Sequence, residues 1–236
     1  MKKIISSIIF LISVNVCCFS QETIEIGLVV SPIVSKISFE SANSFNTENR
    51  FSVNYGGQFS YNLNKFRINT GISYLKQGGD FKVLETSTIN PSGTGAYFYV
   101  PCITKSIVVP TTLNYKILSK NKTRLFVGTG LAIGYLFSQY LDNSAFETPQ
   151  VRTITTNGIT YTISGAGVPK YTEIDIFDKF YSHISLTTEL HHNFNENWNG
   201  FIRPNFNYQI RNKNASQIIA RQSSWGLDLG IMKQIK

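Results

Sequence analysis

Phe51-Ser52-Val53-Asn54-Tyr55-Gly56-Gly57-Gln58-Phe59-Ser60-Tyr61-Asn62-Leu63 is two sequences interleaved. Phe51, Val53, Tyr55, Phe59, Tyr61 and Leu63 make one set, and Ser52, Asn54, Gly56, Gln58, Ser60 and Asn62 the other. Side chains on a strand point to opposite faces with a period of two, so this segment is a strand with one apolar and one polar face. A strand of about 9 to 11 tilted residues crosses a bilayer, whereas a strand of a soluble domain is about 5 to 6 residues long.

The alternation returns along the chain, and strands are expected near 23–35, 50–63, 65–76, 105–118, 123–138, 180–193, 197–211 and 221–235. In the first, Ile24, Ile26, Leu28 and Val30 share a face; in the third, Phe66, Ile68, Ile72 and Tyr74. In the fifth, Leu125, Val127, Leu131, Ile133, Tyr135 and Phe137 alternate with small residues including Gly128, Gly130, Ala132 and Gly134. The last sets Trp225, Leu227, Leu229, Ile231 and Ile235 against Ser224, Gly226, Asp228, Gly230 and Gln234.

A soluble sandwich alternates in the same way but buries the apolar face, so periodicity does not choose between the two. Length, aromatic placement and connections do. Aromatic residues sit towards the strand ends, where a membrane barrel carries its interfacial girdles: Tyr61, Phe66, Tyr74, Tyr135, Trp198, Tyr208 and Trp225. Tight turns at 62–65, 119–122 and 195–197 alternate with long connections at 36–49, 77–104, 139–179 and 212–220. The expected fold is all-β, an eight-stranded antiparallel up-and-down transmembrane β-barrel with short periplasmic turns and long extracellular loops. Both termini then lie on the short-turn side.

Residues 1–20 read as a secretory signal peptide: Lys2 and Lys3, an apolar run Ile4 to Val16, and the small-x-small site Cys18-Phe19-Ser20. The apolar run is too short for a spanning helix. Residues 21–236 are then one outer-membrane barrel domain. Acylation of Cys17 or Cys18 is the alternative export route, although Val16 stands where such sites usually carry a small residue. The mature chain keeps only Cys102, so no internal disulfide forms, and no metal site or cofactor is expected. The formal charge of +8 is scattered rather than clustered, and an exported chain meets no cytosolic nucleic acid, which leaves the outer-membrane bilayer as the first partner.

The interior of an eight-stranded barrel is only wide enough for side chains. The inward set contains Glu25, Arg67, Glu189, Arg203 and Asp228, which must pair at low dielectric, so a filled lumen network is expected instead of a pore. Gly128, Gly130 and Gly134 would leave room for Arg67 or Arg203. Thr153 to Thr162 alternates about Asn157-Gly158, the strongest short hairpin signal, so the 139–179 loop should carry a β-hairpin that either meets a protein or surface ligand or forms a rigid lid over the barrel. His183, Ser185 and Glu189 share a face and loosely resemble parts of a nucleophilic constellation, which makes a lipid-modifying enzyme a third reading. His191 is inward by the same parity, and His191 and His192 fall beside a short turn, an interfacial position.

The chain resembles the PorT-like group of outer-membrane β-barrel proteins. The resemblance is carried by Ile107-Val108-Val109-Pro110-Thr111-Thr112-Leu113-Asn114-Tyr115, by Phe126-Val127-Gly128-Thr129-Gly130-Leu131-Ala132-Ile133-Gly134-Tyr135, and by Gly226-Leu227-Asp228-Leu229-Gly230-Ile231. It implies the barrel architecture and no shared catalytic set. Such barrels commonly end in an aromatic residue, whereas this chain ends Gln234-Ile235-Lys236. A small non-enzymatic outer-membrane barrel, with loops for binding or shielding or a role in an envelope or secretion assembly, is the leading reading. The alternative is a soluble exported barrel with a small apolar ligand inside, which would turn every face the other way.

Overall fold

The computed structural model describes residues 22–39, 47–84, 97–143, 151–156, 159–164, 169–174, 176–210 and 220–235. The expected signal segment 1–20, with Cys17 and Cys18, and the Asn157-Gly158 turn lie outside the described residues. Eight long strands form the wall: β1 (Glu22–Phe39), β2 (Thr47–Leu63), β3 (Phe66–Leu84), β4 (Tyr97–Lys120), β5 (Thr123–Asp142), β9 (Phe180–Asn193), β10 (Trp198–Ile210) and β11 (Ala220–Ile235). Three short ones, β6 (Val151–Thr156), β7 (Ile159–Ser164) and β8 (Tyr171–Glu173), lie between β5 and β9 in sequence. No described helix is long and apolar enough to cross a membrane.

Each wall strand pairs antiparallel with its sequence neighbour, β5 with β9, and β1 with β11, so the sheet returns on itself. Closure matters because hydrocarbon offers no partner to an unpaired backbone N–H or C=O. The Asn64-Lys65 and Asn121-Lys122 turns place Asn64 at φ 43° and Asn121 at φ 52°, the left-handed conformation that two-residue hairpins need and that asparagine tolerates. The third turn is held by Asn195, whose Oδ1 accepts the N–H groups of Asn197 at 2.9 Å and Trp198 at 2.8 Å.

The strands run further at the loop end than alternation indicated. β4 begins at Tyr97 and β3 continues to Leu84, paired from Leu84↔Tyr97 down to Gly79↔Cys102. β5 continues to Asp142, so the long connection starts at 143 and not at 139. Residues 139–142 are flanked by β4 on one side and β8 on the other, which satisfies both edges of an extension whose side chains do not alternate cleanly. β6 and β7 pair separately, from Val151↔Ser164 to Thr156↔Ile159.

The apolar set points out. Leu28 is 74% exposed, Ile133 66% and Ile72 63%, while Arg67, Glu25 and Glu189 are 0% exposed. One aromatic ring of the wall lies at the turn end, with Tyr61, Trp198 and the Phe66–Tyr115 edge contact at 5.4 Å. The other lies towards the loops, where Tyr55 and Tyr74 stack at 5.2 Å and Tyr135 meets Phe180 at 5.1 Å. Tyr208 and Trp225 belong to this second ring, and the Arg221 guanidinium donates to the Tyr208 hydroxyl at 2.6 Å. From Phe66 to Tyr74 is about 26 Å of strand at about 3.3 Å per residue. At a tilt of about 40° this spans about 20 Å along the barrel axis, near the height of a bilayer-facing apolar band.

Leu131→Arg, on the outward face between the two rings, should lower the folding free energy in phosphatidylcholine vesicles by about 2–4 kcal/mol, read from the urea midpoint of tryptophan fluorescence. Lys122→Ala at the turn should shift it by less than about 0.5 kcal/mol.

Candidate functional site: the filled lumen

Inward side chains from seven strands meet in the turn-end half of the barrel. Glu25 on β1, Arg67 on β3, Glu189 on β9, Arg203 on β10 and Asp228 on β11 form one chain of alternating charge. Arg67 Nη2 lies 2.8 Å from Glu25 Oε2 and its Nε 3.4 Å from Glu189 Oε1. Arg203 Nη1 lies 3.3 Å from Glu189 Oε2 and its Nε 2.7 Å from Asp228 Oδ2. Glu189 is therefore shared by both arginines. Neutral partners from β2 complete the guanidinium shells: Arg67 donates to Ser60 Oγ at 3.1 Å, and Arg203 to Gln58 Oε1 at 2.9 Å. Asp228 also accepts from Asn205 at 2.6 Å and Ser31 at 2.5 Å.

One further member escaped the sequence reading, and another, inward by its parity, was expected near the interface. Arg124, inward on β5, donates to Asn193 Oδ1 at 2.7 Å and brings the plug to three guanidiniums against three carboxylates. His191 is 0% exposed with its Nε2 3.6 Å from Glu25, so it takes the inward position its parity gives and lies inside the plug, not at the interface. Its odd number on β9 already put it on the face of Glu189. His192 takes the outer position, against Thr123 Oγ1 at 2.9 Å.

Apolar side chains support the charges from inside. The Arg67 guanidinium lies 5.7 Å over the Phe126 ring and that of Arg203 4.9 Å over Phe201. A Cβ at Gly230 would come within 2.2 Å of Phe201, which is why that position is glycine. The glycines of β5 correct an expectation: the space they leave is occupied not by Arg67 or Arg203 but by close wall neighbours. A Cβ at Gly128 would strike Asn114 Oδ1 at 2.1 Å, and one at Gly134 the Tyr181 ring at 2.2 Å.

Above the plug lies a cavity of about 100 Å³, bordered by Ser31, Asn54, His183, Ser185, Arg203 and Asn207 among others. Its roof is apolar. Ile37, Cys102, Val108, Ala132, Leu136, Phe177 and Tyr181 form a buried cluster. Phe177 reaches it because the Gln139 side chain clamps the connection before β9, accepting from Ile176 and Phe177 N–H at 3.0 and 3.1 Å and donating to the Phe177 carbonyl at 3.0 Å.

His183, Ser185 and Glu189 do not converge. His183 packs on the Tyr181 ring at 4.9 Å and borders the cavity with Ser185, whereas Glu189 is held in the plug by the arginines. No cluster of His, Cys, Asp or Glu among the described residues is arranged to hold a metal ion.

A closed wall, an apolar exterior between aromatic rings and a charged interior are the physical signature of a bilayer-spanning barrel. Residues 19–180 match the family described as outer membrane protein beta-barrel domain. The chain belongs to that family. Its place is the outer membrane, and its first partner is the lipid bilayer. Among solved structures it is similar to Neisserial surface protein A, at 10% identity over 88% of this chain and 97% of that one, TM-score 0.42. It is also similar to the outer membrane protease OmpT from Escherichia coli, at 8% identity over 92% and 98%, TM-score 0.47, and to the outer membrane protein OprG from Pseudomonas aeruginosa, at 10% identity over 92% and 97%, TM-score 0.46. No curated protein matches the sequence.

Because Glu189 is shared, Glu189→Leu takes one of two carboxylate partners from each of two buried guanidiniums and leaves an excess buried positive charge, which should cost this barrel about 3–5 kcal/mol in urea unfolding from micelles. Arg67→Met and Glu25→Leu should be non-additive, the double variant recovering more than about 1 kcal/mol relative to the sum of the singles.

Proposed function

We propose that this is a small non-enzymatic member of the PorT-like outer-membrane barrels, exported by residues 1–20, which acts through the surface presented by its loop-end strands and not through its lumen. The observation that carries this reading is the filling of the interior. A charged plug occupies the turn-end half, an apolar roof closes the other, and the cavity between them is about 100 Å³. Among the described residues, this filling leaves little room in the lumen for a solute or a substrate.

What is left to meet other molecules is the loop end. There β6 and β7 form a two-stranded sheet whose outer edges pair with no other described strand. Such an edge offers unpaired backbone groups to a strand of another chain, which suits binding or shielding at the cell surface and a place in an envelope assembly. The soluble ligand-binding alternative needs an apolar interior along the whole barrel, and the turn-end half carries the opposite.

Planar bilayers containing the purified barrel should show no stable conductance steps. Intact cells should label Thr155→Cys but not Lys122→Cys with a membrane-impermeant maleimide, buried Cys102 giving no background. A steady open-channel conductance, or labelling at the turn and not the hairpin, would contradict the reading.

A further inference from the structure

Immediately beyond the loop-side aromatic ring, on the outer face of the wall, Lys76 of β3 stands directly opposite Lys105 of β4. Their neighbours Leu75, Gln77, Thr104 and Ser106 point inward, Gln77 donating to Ser224 Oγ at 3.2 Å and Ser106 bonding the Tyr181 hydroxyl at 2.5 Å, so both lysines face away from the lumen. Like charges directly opposite on adjacent strands repel. Of the described carboxylates nearby, Asp80 is taken by Arg50 at 2.7 Å, Glu48 accepts from Tyr99 at 3.1 Å, and Glu173, across from Tyr140, forms no ion pair with Lys105. Aromatic rings extend the pair sideways. Lys105 Nζ lies 5.1 Å over the Tyr140 ring, Tyr140 meets Tyr171 at 5.1 Å, and Lys170 Nζ lies 5.7 Å over Tyr171.

On the same three strands, between the aromatic rings, the outer face is indented. Ile68, Val109, Thr111, Leu113, Thr129 and Leu131 border a groove of about 500 Å³, made by threonines where neighbouring outward positions are large. The Thr70 and Thr111 hydroxyls bond each other at 3.2 Å and Thr129 donates to the Ser185 carbonyl at 3.0 Å, so these polar groups are satisfied and leave an apolar-walled recess. A pair of ammonium groups with no ion pair among the described residues, and a recess for hydrocarbon on the membrane side of the same strands, has the anatomy of one kind of molecule.

We infer that β3, β4 and β5 form a binding site for a phosphate-bearing membrane lipid, its phosphate between Lys76 and Lys105 and an acyl chain in the groove beneath. The phosphate removes the lysine repulsion, and the groove selects a lipid over free phosphate. The site lies on the wall, independent of what the loops bind.

The test is native mass spectrometry of the refolded full chain in dodecyl maltoside, titrated with diphosphorylated lipid A, with lipid A stripped of its phosphates, or with inorganic phosphate. Wild type should retain one diphosphorylated lipid, and the dephosphorylated lipid at least about tenfold more weakly. Lys76→Gln with Lys105→Gln should weaken binding about thirtyfold, from the usual contribution of two interfacial lysines. Arginine at both positions should restore it, Thr111→Phe should weaken it by filling the groove, and Lys120→Gln with Lys122→Gln should leave it unchanged. Each variant is first shown to be folded by its circular dichroism. Wild-type affinity in the double glutamine variant, equal retention of the dephosphorylated lipid, or inorganic phosphate bound as tightly as the lipid would overturn the site.

Discussion

Everything in this molecule follows from one constraint: in hydrocarbon, a sheet must leave no backbone group unpaired. The pairings β1 with β11, β4 with β5 and β5 with β9 meet that constraint by closing the wall. Closure fixes which side is inside, and the two-residue period then sends every second side chain to lipid and every other one into a narrow lumen. The polar residues are interior because the solvent of this protein is apolar. Its faces are those of a soluble β-barrel turned inside out.

A narrow lumen makes the second demand. Side chains that would be solvated at a protein surface here have only one another, and the result is the chain Glu25–Arg67–Glu189–Arg203–Asp228. Such a chain is weak evidence of stability compared with an apolar filling of equal volume, because removing each ion from water is costly. Its effect is on specificity: five strands contribute one charge each, so a slip of one residue in any strand would turn that charge towards lipid and strand its partner. Register and charge pairing enforce each other.

Much of this was legible in the sequence because the signal is a parity. Once Phe51 is outward, Ser52 must be inward, and the same rule places Arg67, Arg203 and Asp228 without knowledge of any contact. The rule is weakest where inner positions are themselves apolar. Phe126, Phe201 and Met232 support the plug from inside, and Ile37, Cys102 and Leu136 build the roof, so the alternation fades and β4 and β5 continue beyond their apparent ends. Arg124 carries the right parity but sits beside a turn, where position suggests an interfacial role, whereas the parity of His191 outweighs its place beside a turn. The clamp of Gln139 on Phe177, made between β5 and the end of a long connection, left no periodic trace.

The claim that the apolar face meets lipid around a closed wall is tested most directly by gel mobility in detergent of the outer-membrane fraction, unboiled against boiled. A compact barrel migrates faster before boiling, and the account predicts that faster band in the outer membrane alone. A single heat-indifferent band in the soluble periplasmic fraction would contradict it and reverse every inside and outside assigned here.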